Sequence, residues 1–188
     1  DFMDGFNQWT ATDANAFCWM FRRATGFMDV VAYTGDGEAG STQAHNLGVV
    51  PEFMVIKQRN GANNWICGGT ILGTDGWMFL NSTLARGTQP AYWNNTLPAA
   101  TQFTVGTAIA VNDTSQKYIA YLFATLAGVS KVGSYTGTAA TLNVDCGFTA
   151  GARFILIKRY DSTGDWYVWD SVRGISAGND PYLLLNST

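Results

Sequence analysis

The stretch Phe53-Met54-Val55-Ile56-Lys57-Gln58-Arg59, Asn60-Gly61-Ala62-Asn63-Asn64, Trp65-Ile66-Cys67 decides the fold, because the chain writes it twice. Its second form is Phe154-Ile155-Leu156-Ile157-Lys158-Arg159-Tyr160, Asp161-Ser162-Thr163-Gly164-Asp165, Trp166-Tyr167-Val168-Trp169. Each is an apolar run that turns basic, a short loop of Asn, Asp, Gly and Ser, and an aromatic run. Loop residues of these types tolerate turn dihedrals and the flanks suit a half-buried sheet, so both stretches read as β-hairpins.

Outward from the hairpin, other landmarks return in the same order. Tyr118 to Phe123, Gly128 and Tyr135-Thr136-Gly137 mirror Phe17 to Phe21, Gly26 and Tyr33-Thr34-Gly35, with Tyr135 lying 102 residues after Tyr33. Lys158 and Trp166 lie 101 residues after Lys57 and Trp65, and Leu80-Asn81-Ser82-Thr83 returns at 185–188. The drift between these offsets is what a loop insertion near Ser176 to Pro181 produces. A period near 100 residues is too long for a solenoid turn and suits a small β-domain in tandem. Residues 1–25 then read as the tail of a preceding repeat, 26–127 as one complete β-sandwich repeat and 128–188 as the front of a second. With no starting Met, the chain reads as a fragment or a processed piece. The expected fold is all-β, a tandem of β-sandwich repeats. A sheet interrupted inside a repeat carries an open edge unless another element or subunit covers it, so assembly is expected.

Composition agrees. Of 188 residues 47% are apolar and 14% aromatic, with 21 glycines and only 13% charged, which favours short strands and tight turns over helices. A net charge of −3 without a basic block argues against nucleic-acid binding. Cys18, Cys67 and Cys146 are odd in number and widely spaced, and His45 is the single histidine, so neither a disulfide framework nor a zinc site is expected. No apolar run reaches the roughly 18 residues of a membrane span. Neither membrane insertion nor a cofactor is expected.

The candidate sites each have a plainer reading. Gly35-Asp36-Gly37-Glu38-Ala39-Gly40 matches GxGxxG, but no helical pattern follows and the later stretch has Gly137-Thr138-Ala139-Ala140, so it reads as a β-turn. Asp161, Asp165 and Asp170, or Asp29, Asp36 and Glu38, could gather as calcium ligands, yet turn chemistry explains the same residues. His45 with Ser41 and Asp36 could be imagined as a triad, but nothing resembles a nucleophile elbow. Trp65, Trp77, Trp166 and Trp169 fall at strand positions and read as core. Trp93 differs. It lies in a Pro-bounded loop, and Tyr92, Trp93, Asn94 and Asn95 form the candidate glycan-binding site. Asn-x-Ser/Thr sequons begin at Asn81, Asn94, Asn112 and Asn186, in a chain rich in both residue types.

At the repeated landmarks the sequence resembles a known domain. Gly26-Phe27-Met28-Asp29-Val30-Val31-Ala32-Tyr33-Thr34-Gly35, His45 to Glu52, Tyr118 to Ala124, Gly128 to Gly137 and Asp170-Ser171-Val172-Arg173-Gly174 are similar to a domain of unknown function found in tandem in tailed-phage, tail-fibre-like structural proteins. The likeness spans about residues 16–188. The Asp-Ser-x-Arg-Gly stretch at 170–174 is replaced by Gly68-Gly69-Thr70-Ile71-Leu72-Gly73 in the first repeat. The resemblance implies a non-enzymatic virion structural protein at the virion surface, a tail fibre or other appendage. Its partners would be itself as a homotrimer, other virion proteins and a host surface glycan. A capsid decoration or fibre-shaft protein without receptor binding is the second expectation. A carbohydrate-binding β-sandwich module or depolymerase fragment is the third.

Overall fold

The computed structural model describes residues 19–175 and 180–187. The polar opening segment, Phe17, Cys18 and most of the Ser176–Pro181 insertion lie outside the described residues. The chain folds as an all-β protein. Eight strands form its first part: β1 (Met28–Thr34), β2 (Ser41–Ala44), β3 (Phe53–Gln58), β4 (Ile66–Gly68), β5 (Gly76–Phe79), β6 (Gly87–Thr88), β7 (Gln102–Val105) and β8 (Lys117–Phe123). Three more follow, β9 (Phe154–Lys158), β10 (Trp166–Asp170) and β11 (Leu183–Leu184). Both repeated stretches form the expected antiparallel hairpins, β3–β4 and β9–β10.

Six strands make one antiparallel sheet in the order β1-β8-β3-β4-β5-β6. Strand β8 is its central element, with Ala120 opposite both Val31 and Ile56. Strand alternation sends Met54, Ile56, Ile66, Tyr118, Ala120 and Leu122 to one face, where all are buried. Covering that face is a β2–β7 ribbon together with two single-turn helices, α1 (Pro90–Trp93) and α2 (Ile109–Asn112). The second layer is thus smaller than the full sheet a sandwich implies. Leu47, Trp93, Phe103, Val105 and Val111 are its contribution to the core.

One buried polar residue fixes how this layer joins the sheet. The Asn112 side chain is fully buried; its oxygen accepts the Asp36 N–H (3.0 Å) and its amide donates to the carbonyls of Glu38 (2.9 Å) and Gly106 (3.0 Å). It anchors the Gly35–Gly40 loop, which leads directly into β2 with no helix behind it. Full satisfaction is what makes such a buried amide tolerable.

The opposite face of the six-stranded sheet is covered too. Val55, Cys67 and Met78 point that way and pack with Leu72, Leu156, Trp166 and Leu185. The three-stranded sheet, in the order β11-β10-β9, therefore lies against the outer face of the first. In β10, Trp166, Val168 and Asp170 are buried while Tyr167 and Trp169 between them are half-buried. Residues 131–152 form no strand, although Tyr135-Thr136-Gly137 mirrors the end of β1. β1 is held along its whole length by β8. No strand plays that part for Val132–Thr136 among the described residues, and most of that stretch is exposed.

Candidate functional site

The Pro-bounded loop at Tyr92 to Asn95 is not an open aromatic platform. Pro90 sits at the first position of α1, where its missing N–H costs nothing, and Asn94 ends the helix in the left-handed region (φ 51°), donating its N–H to the Pro90 carbonyl (2.7 Å). This one turn swings Trp93 inward. Its indole is 2% exposed and donates to the Gly76 carbonyl (2.8 Å). It lies so close over Gly68 that a Cβ there would come within 2.2 Å of the ring. Tyr92 is half-buried between Trp77 (5.5 Å) and Trp93 (6.3 Å), leaving only Asn94 and Asn95 at the surface. Of the expected glycan residues, the one meant to stack on a sugar is therefore a core side chain.

The other candidates disperse in the same way. His45 is buried, with Nε2 on the Ala99 carbonyl (3.0 Å) and Nδ1 accepting the Leu47 N–H (3.2 Å). Ser41 meanwhile donates to Asp36 (2.7 Å), so the imagined triad is not assembled. Asp161 pairs with Arg159, Asp165 accepts from Asn186 and Asp29 pairs with Arg23, each carboxylate serving a separate turn. Among the sequon residues, Asn112 is buried, and the Asn81 and Asn186 amides hold the N–H groups of Trp65 (3.1 Å) and Trp166 (2.7 Å).

These last two bonds belong to a matched set. Lys57 donates to the carbonyls of Gln58 (2.8 Å) and Gly61 (2.7 Å), and Lys158 to those of Arg159 (2.9 Å) and Gly164 (2.8 Å). Leu80 N–H reaches the Trp65 carbonyl (3.0 Å), as Leu185 reaches that of Trp166 (3.1 Å). The repeated lysines and Leu-Asn-Ser stretches are thus the fasteners of two equivalent meanders, β3–β4–β5 and β9–β10–β11.

What differs between the meanders is how each face is used. Trp166 is buried at the junction; its Nε1 donates to the Phe79 carbonyl (2.8 Å) and its ring packs on Phe53 (6.3 Å). Arg86 N–H bonds the Tyr160 carbonyl (2.8 Å), and Thr83 O accepts from Gly164 N–H (2.9 Å) and Lys158 (3.2 Å). The loop at 161–165 is therefore docked on the first part of the chain. On the far side of the three-stranded sheet, Tyr167 and Trp169 stack at 5.6 Å, with Tyr182 edge-on to Tyr167 at 5.2 Å. The positions corresponding to Ile155, Ile157 and Tyr167 are Met54, Ile56 and Ile66, all fully buried in the first meander. Tyr167 and Trp169 are half-buried and Tyr182 is exposed, so this aromatic face is partly open to solvent. The reading of Trp169 as core is corrected: alternation along β10 turns it, with Tyr167, to the half-buried far face, and Tyr182, at the edge of the insertion, gives no sequence signal.

Asp170-Ser171-Val172-Arg173-Gly174 closes β10. The Asp170 carboxylate accepts the N–H groups of Val172 (3.0 Å) and Arg173 (2.9 Å) and the Trp19 indole N–H (3.1 Å), and pairs with the Arg173 guanidinium. Gly68 and Gly69 stand at the equivalent points of the first meander because the space is taken. Trp93 covers Gly68, and a Cβ on Gly69 would meet the Glu52 carbonyl oxygen at 2.4 Å.

Two buried carboxylates predict how the protein responds to acid. Burial pushes the Asp29 carboxyl up, but the Asn46 and Val30 N–H groups and the Arg23 guanidinium outweigh it and hold it below its ordinary value. The Arg173 N–H leads the groups that hold Asp170 down, against desolvation. A depressed folded-state value stabilises above the unfolded value of about 3.9 and is lost as pH falls through the folded one. Urea midpoints are expected to be flat above about pH 5 and to fall steeply below about pH 4, with a shallower fall in Asp29→Asn. An equal acid slope in both proteins would remove Asp29 from this account.

No curated protein matches the chain. No solved structure matches it either. Residues 12–187 match the family model described as a domain of unknown function, DUF7483, and the chain belongs to that family.

Proposed function

We propose that the chain is a non-enzymatic structural protein of a phage virion, part of a tail fibre or other surface appendage that contacts the host, built from tandem β-units of about 100 residues. The observation that carries the reading is the junction. A second meander with the same fasteners as the first is seated on the outer face of the first sheet through Trp166. Repeated units joined by apolar contact transmit force and position, and need no reactive group. The sequence motifs at 26–35, 118–124 and 170–174 support the same reading through their likeness to tail-fibre-like proteins. In that role the protein assembles with itself, as a trimer, and with other virion proteins. Light scattering on the full chain at micromolar concentration tests this, with a stable trimer expected.

A folded monomer would favour a second reading, a carbohydrate-binding β-module, which rests on Tyr167, Trp169 and Tyr182. Aromatic faces set side by side suit the apolar faces of sugar rings. Quenching of tryptophan fluorescence by a host polysaccharide, lost in Trp169→Ala, would then identify the face.

A further inference from the structure

Strand β9 ends its sheet in the order β11-β10-β9, whereas its counterpart β3 is flanked by β4 on one side and β8 on the other. The second sheet thus lacks a counterpart of β8 among its assigned strands. A short run elsewhere in the chain has the residues for that place. Ala24 bridges Met28 as Leu126 bridges Ser130, with the same three backbone bonds around each turn. This fixes a correspondence of 102 residues, so Trp19, Met20 and Phe21 stand where Tyr121, Leu122 and Phe123 stand in β8.

In the first sheet Phe123 lies opposite Phe53 and Tyr121 opposite Val55. Phe154 and Leu156 correspond to Phe53 and Val55. One matching pair is in contact, Phe21 edge-on to Phe154 at 5.3 Å, and Trp19 packs on the same ring at 5.4 Å. The Trp19 indole also reaches Asp170 on β10, and the Arg173 guanidinium lies over its ring at 5.6 Å. Trp19 is half-buried, Met20 is 79% exposed, and Phe21, 42% exposed, still touches Phe123 at 6.2 Å. Leu122, the residue corresponding to Met20, is fully buried only because the ribbon and helices cover its face.

We propose that the edge of β9, which has no neighbouring strand among the described residues, is a strand-acceptor site and that its occupant is the chain's own Trp19–Phe21 run, in the register Phe21 opposite Phe154, Met20 opposite Ile155 and Trp19 opposite Leu156. The run completes the second sheet as β8 completes the first, so a segment that precedes the first sheet in sequence is laced to the second. Main-chain pairing supplies the affinity, and the aromatic residues at alternate positions supply the register.

Cross-linking reads this register directly. Met20→Cys with Ile155→Cys, in full-length protein carrying Cys18→Ser and Cys146→Ser, places two thiols at facing positions within reach of a disulfide. Oxidation and peptide mapping are expected to give an intrachain 20–155 bond, formed about tenfold faster than the bond in the two-residue-shifted pair Met20→Cys with Ile157→Cys. Equal rates for both pairs, or a bond formed only between chains, overturn the proposal. Hydrogen exchange gives a second reading without new cysteines. Phe21→Ala is expected to speed exchange of the β9 amides by about tenfold or more while those of β3 keep their protection. Unchanged β9 exchange beside a protected β3 would overturn it as well.

Discussion

Replacing Trp166 by alanine is expected to separate the two parts of the molecule energetically. The side chain is 3% exposed and packs among Val55, Cys67, Leu72 and Met78, so its removal leaves a void that backbone on both sides prevents from closing. It also removes the donor to the Phe79 carbonyl. Large-to-small changes at such a site cost about 3–5 kcal/mol, and the three-stranded sheet has little other core from which to absorb that loss. Among the described residues its strands also carry an aromatic face that is only half-buried. The expected result in urea is a single transition in the parent and two in Trp166→Ala, the earlier one belonging to β9–β11. Trp65→Ala is the internal control. Trp65 holds the same place in its meander but is only half-buried and stacked on Tyr121 at 6.4 Å, so its removal costs less than half as much. Should Trp166→Ala shift the midpoint by no more than Trp65→Ala, the junction would not be the packed interface on which the structural reading depends.

The hairpins were legible in sequence because their information is local: apolar alternation, then loop residues that accept turn dihedrals. The fasteners were half legible. A repeated Leu-Asn-Ser can be seen, but that Asn81 and Asn186 close the tryptophan N–H groups depends on strands brought in from a distance. The placing of the second sheet on the first was not legible, because Val55 and Cys67 look alike whether they face a cover layer or another sheet. Residues 131–137 misled for a related reason. Tyr135-Thr136-Gly137 repeats Tyr33-Thr34-Gly35 at the end of β1, yet a strand forms only where a partner supplies the other half of its hydrogen bonds, as β8 does for β1. The loop at 90–98 misled in the opposite sense. Four residues are too few to carry a helical period, so the turn that buries Trp93 left no pattern to read.

Trp93 makes the second large prediction, and it separates packing from recognition. If the residue served a ligand, Trp93→Ala would leave the fold intact and abolish binding. Its burial and its bond to Gly76 point instead to a stability loss of about 3–5 kcal/mol in the six-stranded part, with any glycan binding by Tyr167 and Trp169 retained under native conditions. Gly68 provides the check. A methyl group there would lie 2.2 Å from the indole, a contact that must shift, and the shift is resisted because the ring is pinned at its nitrogen. Gly68→Ala alone should therefore destabilise by overpacking, by about 1–3 kcal/mol. Combined with Trp93→Ala, the same methyl enters the space that the ring has left and restores some contact. The two changes are expected to be sub-additive by about 1 kcal/mol or more, as for residues that share one cavity. Strict additivity would mean that Trp93 and Gly68 do not touch in solution, and would return the indole to the surface as a candidate for binding.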